Sequence, residues 1–377
     1  MRYLTSDIIF TAFSSPISDG VLIVNDDGII LEILDDKAQI DSAKLEYFKG
    51  AICPGFINTH CHLELSHLQR QLAEKTGLPH FINSIGKTRK ASQQLKLEAI
   101  QLADKQMVNN GIVAVADISN TADTFGIKSN SALFYYTFIE LFASDPNRAD
   151  EVFERGLNLS KVCSTPHSLT PHANYSVSLP LLDKIKKYNK GEIISIHSQE
   201  TPDEDEMFLK GSGDLLSQLI AKDFFKYTGK TALQSTLPLL PQSSILLVHN
   251  TFTTKEDLSE ALSSYDNLYW CTCPKANLYI ENKLPKYQQF IDLNAKMTIG
   301  TDSLASNDTL CILEEMKTIQ SYVPLEILVE WACKNGAEFL GLAALGTFEK
   351  SKMPGVNYIN HIENGKLSAE SQVIKLF

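Results

Sequence analysis

A chain of 377 residues, 44% hydrophobic and 21% charged, is long enough to bury a core without a disulfide framework or a structural metal. Its net charge of −11, with 45 acidic against 34 basic residues and no long basic run, argues against nucleic acid or an anionic membrane surface as partners. The opening MRYLTSDIIFTAF lacks the apolar core of a signal peptide, no stretch approaches the ~18–20 apolar residues of a membrane span, and seven cysteines without pairing spacings fit a reducing cytoplasm.

Residues 1–50 read as short strands and turns. In GVLIVNDDGIILEIL an Asp-Asp-Gly turn separates two β-rich runs, a hairpin signal. The C-terminus is similar, with GVNYINHI and SQVIKLF as short strands around ENGK. Two β-rich ends around a long middle predict one small β domain from residues 1–50 plus 341–377, with residues 51–340 as a second unit.

That middle alternates. Apolar, β-branched runs occur at AICPGFINTH (51–60), GIVAVADIS (111–119), SALFYYTFIEL (131–141), VCSTPHSLTPH (162–172), EIISIHS (192–198), SILLVHN (244–250), NLYWCTC (267–273) and KMTIGTD (296–302). Helix-compatible stretches such as TRKASQQLKLEAIQLADKQMVNN and DEMFLKGSGDLLSQLIAKDFFKY separate most of them. Strands alternating with helices predict parallel βα units, and eight such strands predict a (β/α)8 barrel. The rival, a doubly wound open sheet, lacks the GxGxxG turn expected after its first strand.

The polar residues at the strand ends carry the functional reading. Strand one ends in His60-Cys61-His62, strand four near His167 and His172, strand five at His197, strand six at His249 and strand eight at Asp302. In a parallel barrel these ends share the mouth where active sites sit. Residues i and i+2 of an extended chain face the same way, so His60 and His62 can reach one ion. A lone HxH is equally compatible with two hydrogen-bonded core histidines; His197 and Asp302 at the ends of other strands favour a metal. Three imidazoles and a carboxylate suit Zn²⁺ or Fe²⁺ with a position left for water. Glu200, in HSQE, is placed to move a proton, with a solvated charge in the acidic run ETPDEDE as the alternative. His249 could orient the water, and Asp302 could accept its proton. His80, His361 and His67 have no such placement.

At these residues the chain resembles the amidohydrolase superfamily, in its deaminase and chlorohydrolase branch. The resemblance rests on PGFINTHCHLELS, PHANYSVS, HSQE, LVHNTFT, CPKANLYIENKLP and GTDSLASNDTLCILEEMK, in that order over roughly residues 50–340. It implies one divalent metal, zinc or else iron, held by His60, His62, His197 and Asp302. It also implies Glu200 as proton shuttle, His249 and Asp302 as activators of water, and His172 as a substrate contact. Strand four has no lysine, so the carbamate-bridged pair of metals found elsewhere in the superfamily is not expected. HLELS with GTDSLASN resembles aminodeoxyfutalosine deaminases and related adenosine-type deaminases. The implied reaction is hydrolytic deamination of a small heterocycle, a 6-aminopurine nucleoside such as aminodeoxyfutalosine, to the oxo product and ammonia. Guanine, pterin, triazine or a chlorinated ring on the same site, and a catalytically silent barrel, are the alternatives.

Pocket candidates are Glu64, Glu140, Asn174, Tyr175, Asn277, Ser303 and Asn307. Glu64 is read either as an acceptor for substrate donors or as a salt bridge at the rim. Asn277 is read as a pocket residue or as support for the strand-seven loop, and Cys271 and Cys273 as core. A homodimer is compatible with the resemblance.

Overall fold

The structure, a computed structural model, describes residues 1–219 and 221–377. Five strands come from the N-terminal segment: β1 (Arg2–Ile9), β2 (Ile17–Ser18), β3 (Val21–Val24), β4 (Ile30–Leu34) and β5 (Leu45–Pro54). Eight follow in the middle: β6 (Phe56–Cys61), β7 (Ile112–Ser119), β8 (Phe134–Leu141), β9 (His167–Pro171), β10 (Ile194–Ser198), β11 (Ile245–His249), β12 (Leu268–Thr272) and β13 (Lys296–Ile299). The last four are β14 (Val356–Ile359), β15 (Ile362–Glu363), β16 (Lys366–Leu367) and β17 (Val373–Lys375).

Both chain ends contribute to one seven-stranded sheet, in the order β17-β14-β5-β1-β3-β4 with β2 beside β1. The hairpin expected at Asp26–Gly28 is present: β3 and β4 pair antiparallel, and Gly28 takes a positive φ of 82° in the turn. Strand β14 lies antiparallel to β5, so residues near position 356 are stitched directly to residues near 54.

The apolar run at 51–60, read as one strand, serves two sheets. Its first half ends β5 at Pro54, and its second half, β6, starts the next sheet at Phe56. Proline lacks the N–H that a ladder needs, so the break falls there.

Strands β6-β7-β8-β9 form one parallel sheet and β10-β11-β12-β13 another. Parallel bridges Ala173↔His197 and Cys61↔Asp302 join their edges and close the ring into a (β/α)8 barrel. Every residue of β6, β10, β11 and β12 is buried, the pattern of strands covered on both faces.

Of the two helix-compatible segments, the first holds a 17-residue helix, Gln93–Asn109, capped by Ser92. The second breaks into Pro202–Lys210, Asp214–Gln218 and a 3-10 turn at Lys222–Phe224, with Ile220 outside the described residues. Gly211, left-handed at φ 67°, ends the first piece because a Cβ there would be strained.

His167 is the exception among the strand-end histidines. The helix Ala149–Val162 runs further than expected, so β9 begins at His167 and carries it at the opposite end from His172. Its Nδ1 donates to the Thr165 carbonyl at 2.8 Å, and Nε2 lies 2.7 Å from Ser160 Oγ.

A fully buried ion pair braces the barrel beside the first strand's end. Lys128 Nζ lies 2.5 Å from Asp117 Oδ2 and donates to Ser119 Oγ and Thr137 Oγ1 at 2.9 and 3.1 Å. The other oxygen, Asp117 Oδ1, accepts the Leu63 N–H at 2.7 Å, immediately after His62. Removing the cation strands a buried carboxylate, so Lys128→Met is expected to lose about 3–5 kcal/mol of stability, measured by denaturant titration.

Candidate active site

The strand ends bring together His60, His62, His172, His197, His249 and Asp302, all from separate strands except the first two. The His60 ring centroid lies 4.9 Å from those of His62 and His197 and 5.7 Å from that of His249. Asp302 Oδ1 sits 3.6 Å from His60 Nε2 and 3.5 Å from His62 Nε2. His62 Nε2 in turn is 3.3 Å from His197 Nε2. Donor atoms lie within 4.8 Å of one another in the sets His60/His62/Asp302 and His60/His197/His249.

The approach of His60 to its neighbours depends on Gly300, where a Cβ would meet the His60 Cβ at 2.7 Å and Cys271 Sγ at 2.8 Å. Asn58 adds a clamp: its amide donates to Thr301 Oγ1 at 2.7 Å, while the Thr301 and Asp302 N–H groups donate to the His60 carbonyl. The register of β6 against β7 shifts between Asn58 and Cys61, so the HxH pair leaves a locally irregular strand rather than a regular one. Cys61 packs into the hydrophobic core between the two rings.

Burial and the neighbouring imidazoles disfavour the charged forms of His62 and His197. The His62 value falls to about 3, first through desolvation and then through His60. That of His197 is pushed well below its usual range by burial and by His172, His60 and His62. Its Nδ1 donates to the His172 carbonyl at 2.7 Å, so Nε2 of the neutral ring carries a lone pair toward His62. Burial would raise the Asp302 carboxyl, but the hydrogen-bonding contact with His60, and then His62 and His249, outweigh it and lower the group below its ordinary range. His60 is completely buried, and neither ring nitrogen has a hydrogen-bond partner. Converging ring nitrogens beside a carboxylate, with both nitrogens of His60 unpartnered among the described residues, are a donor set that fits a divalent cation.

Glu200 is not a solvated member of its acidic run: only 4% of it is exposed. Desolvation, and then the charges of Asp302 and Glu281, raise its carboxyl well above the ordinary range. Its Oε1 lies 3.6 Å from His249 Nε2. His249 Nδ1 donates to Asn277 Oδ1 at 2.8 Å, which fixes that ring's orientation and gives Asn277 the supporting role of its two readings.

The backbone at these strand ends is strained. Gln199, His249, Asn250 and Asp302 take positive φ values of 46°, 73°, 54° and 54°. Left-handed non-glycine residues cost about 1–3 kcal/mol each and persist only where the surroundings over-determine them.

The remaining pocket candidates fall into two groups. His172, Glu64, Glu140 and Ser303 are buried or nearly so around the histidines. Glu64 Oε2 accepts from the N–H groups of Asn120 and Thr121 and from Thr121 Oγ1 at 3.0–3.2 Å, while Oε1 has no hydrogen-bond partner and lies 4.0 Å from Arg89. Burial raises both Glu64 and Glu140 to about 7. Glu140 Oε1 is also unpartnered, 3.7 Å from His197 Nδ1. His172 Nδ1 lies 2.6 Å from Ser176 Oγ, and Tyr175 packs edge-on against its ring. Ser303 Oγ receives the Ala305 N–H.

The second group braces the loops. Both amide hydrogens of Asn307 are committed, to Thr301 O at 2.9 Å and Glu315 Oε1 at 2.7 Å. Asn174 donates to Glu204 at 2.6 Å. His67 bonds the Arg89 carbonyl at 3.1 Å, closing the loop after β6 onto the helix Leu78–Thr88. Cys271 and Cys273, with Sγ atoms 4.0 Å apart, are buried and packed among the core side chains.

Three residues outside the sequence reading complete the arrangement. Ser306 Oγ donates to Asp302 Oδ2, and Asn120 links Glu64 to Glu140 through its N–H and its side-chain amide. Glu204 holds the turn that presents Glu200. Only Glu204 had a local signal, the capping pattern Thr201-Pro-Asp-Glu204.

The profile of the amidohydrolase family matches residues 51–360. An aminodeoxyfutalosine deaminase of Deinococcus radiodurans is 26% identical over an alignment of 367 residues, covering 90% of this chain and 86% of the relative. Among solved structures, the Helicobacter pylori aminofutalosine deaminase in complex with methylthio-coformycin superposes with a TM-score of 0.80 at 21% identity, covering 98% of this chain and 94% of that one. An adenosine deaminase from Xanthomonas campestris with bound zinc gives a TM-score of 0.74 at 17% identity, with 95% and 84% covered.

Proposed function

The chain belongs to the amidohydrolase family, and we propose that it is a metal-dependent hydrolase that deaminates an aminopurine nucleoside, with an aminodeoxyfutalosine-like compound as the favoured substrate. The observation that carries the reading is the buried convergence of His60, His62, His197 and Asp302 beside the buried carboxyl of Glu200. The aminodeoxyfutalosine deaminase of Deinococcus radiodurans, aligned over most of both chains, supports the substrate class.

His60, His62, His197 and Asp302 would hold one divalent ion. Zinc is favoured over iron because neutral imidazoles with one carboxylate suit it and because the Xanthomonas campestris deaminase carries it. When bound, that ion supplies Lewis-acid activation of water at neutral pH.

The chain's own groups then manage protons. Glu200, whose carboxyl burial raises well above the ordinary range, donates to the ring nitrogen next to the carbon under attack. Its 3.6 Å approach to His249 supports a reading in which both groups act on one side of that carbon. His249, fixed by Asn277, orients the water. Asp302 is kept ionised and accepts the proton that the water gives up; Ser306 steadies its second oxygen. As the new C–O bond forms and the C–N bond breaks, that proton passes to the departing amino group, which leaves as ammonia, while the remaining hydroxyl proton returns to the Glu200 carboxylate as the C=O bond of the oxo product forms. His172, Glu64 and Ser303 face the nucleoside, while Asn307 holds the loop that carries Asp302. Burial of the whole set excludes bulk water and strengthens each charge-dependent step.

The decisive experiment measures ammonia release from adenosine, aminodeoxyfutalosine, S-adenosylhomocysteine, guanine, pterin and melamine. Turnover of a nucleoside is expected. Hydrolysis confined to guanine, pterin or melamine would move the assignment to another heterocycle. Purified protein is expected to carry about one equivalent of zinc or iron per chain, and stripping it with a chelator should lower Tm, since a ligand bound to the native state alone stabilises it. Elemental analysis finding no metal after supplemented expression would remove the reading. Glu200→Gln should keep its metal and lose ~10²–10⁴-fold in kcat, the usual contribution of a positioned proton donor.

A further inference from the structure

We propose that Glu204 is a positioning residue for Glu200: its buried carboxylate gathers the backbone N–H groups of the strained turn that presents Glu200 and ties this turn to the loop carrying His172. The inference rests on the reading of Glu200 as the proton donor.

Glu204 lies in the first turn of the helix Pro202–Lys210 and is completely buried. Its Oε1 accepts the Glu200 N–H at 2.7 Å and its Oε2 the Gln199 N–H at 2.9 Å. The Asn174 side-chain amide donates to Oε2 at 2.6 Å from the loop after β9. The Thr201 N–H adds a fourth contact at 3.4 Å.

This last bond is the one that a capping box requires, and it is the longest of the four. The three shorter bonds reach outward, to the turn and to the neighbouring loop. The helix has no electrostatic need of a third acid either, because Asp203 and Asp205 already occupy its first turn. The carboxylate is therefore placed for the turn rather than for the helix.

The turn needs such an acceptor. Gln199 is left-handed at φ 46°, a conformation that non-glycine residues avoid. It swings successive N–H groups onto one side, where they meet the two oxygens of the Glu204 carboxyl, a group that burial raises to about 8. Other anchors act on the rest of the turn: the Gln199 amide donates to Asp205 and Asp257, and its carbonyl accepts the Phe252 N–H at 3.0 Å. Glu204 alone meets the two N–H groups on either side of the bond leading into Glu200.

Asn174 gives the arrangement its second function. Two residues after His172, it fastens the loop of a proposed substrate contact to the acceptor that sets Glu200. The distance between the proton donor and that face of the pocket is thereby fixed through one carboxylate.

The test compares wild type, Glu200→Gln, Glu204→Gln and the double variant on the nucleoside of the above panel that wild type turns over fastest, with metal content and Tm measured for each. Glu204→Gln keeps the volume but turns an amine toward N–H donors. It is expected to retain its metal and to lose ~10²-fold in kcat with KM nearly unchanged, the scale of effect from misplacing a reacting group by about 1 Å. The double variant should be no slower than Glu200→Gln, because both substitutions remove the same proton transfer. A metal-loaded Glu204→Gln with wild-type kcat, or losses that multiply in the double variant, would overturn the proposal. If Glu204→Gln does not fold, Asn174→Ala takes its place in the cycle, with a ~10-fold loss of kcat expected and the same two outcomes decisive. An inactive Glu200→Gln beside a fully active Glu204→Gln removes this inference alone; a fully active Glu200→Gln, or wild type inert on every nucleoside, removes the reading of Glu200 and this inference with it.

Discussion

Much of this structure follows from one requirement: neutral imidazoles must be aimed at an ionised carboxylate in a space closed to water. A buried polar group with no partner is costly, and His60 presents two such nitrogens. The rings do not satisfy His60: His62 and His197 meet each other through their Nε2 atoms at 3.3 Å instead. Each is therefore oriented from behind. His197 is held by the His172 carbonyl, His249 by Asn277, and the backbone of His60 by Thr301 and Asp302. Gly300 removes the side chain that would push His60 away.

A parallel barrel suits this requirement. It delivers the C-terminal ends of eight strands to one mouth, so groups far apart in sequence can converge from rigid elements. The price is backbone strain at the points where strands turn into loops. Gln199, His249, Asn250 and Asp302 are all left-handed there. Buried acids and amides, among them Glu204, Asn277, Asn307 and Glu315, supply the bonds that hold those turns. The seven-stranded sheet of the two chain ends sits behind this machinery, joined to the barrel through the continuous run from β5 into β6.

Burial also sets the chemistry of the acids. Glu200 is only three residues past His197, and its burial there raises its carboxyl well above the ordinary range. Asp302, in the same space, stays ionised because the rings around it outweigh the same desolvation. Two carboxyls shifted in opposite directions can divide acid and base work in one pocket. Neither state is written in the local sequence, since HSQETPDEDE and GTDS are both simply acidic.

The sequence by itself determined the alternation of strands and helices, and hence the barrel, because hydrophobic period and turn chemistry are local properties. It also determined which histidines and acids stand at strand ends, since those ends are punctuated by the same runs. It misread His167, because the boundary between a helix end and a strand start is set by packing on the barrel rather than by propensity. It joined residues 51–60 into one strand, although Pro54 marked the break. Tertiary structure alone decided which side chains bind and which brace. Glu64 and Asn307 look alike as polar residues in motif loops, but one keeps a carboxylate oxygen free of hydrogen bonds and the other has spent both amide hydrogens on the backbone and on Glu315. Asn120, Ser306 and Glu204 acquire their roles only when distant strand ends meet, because a hydrogen bond depends on the position of its partner and not on the neighbours in the chain.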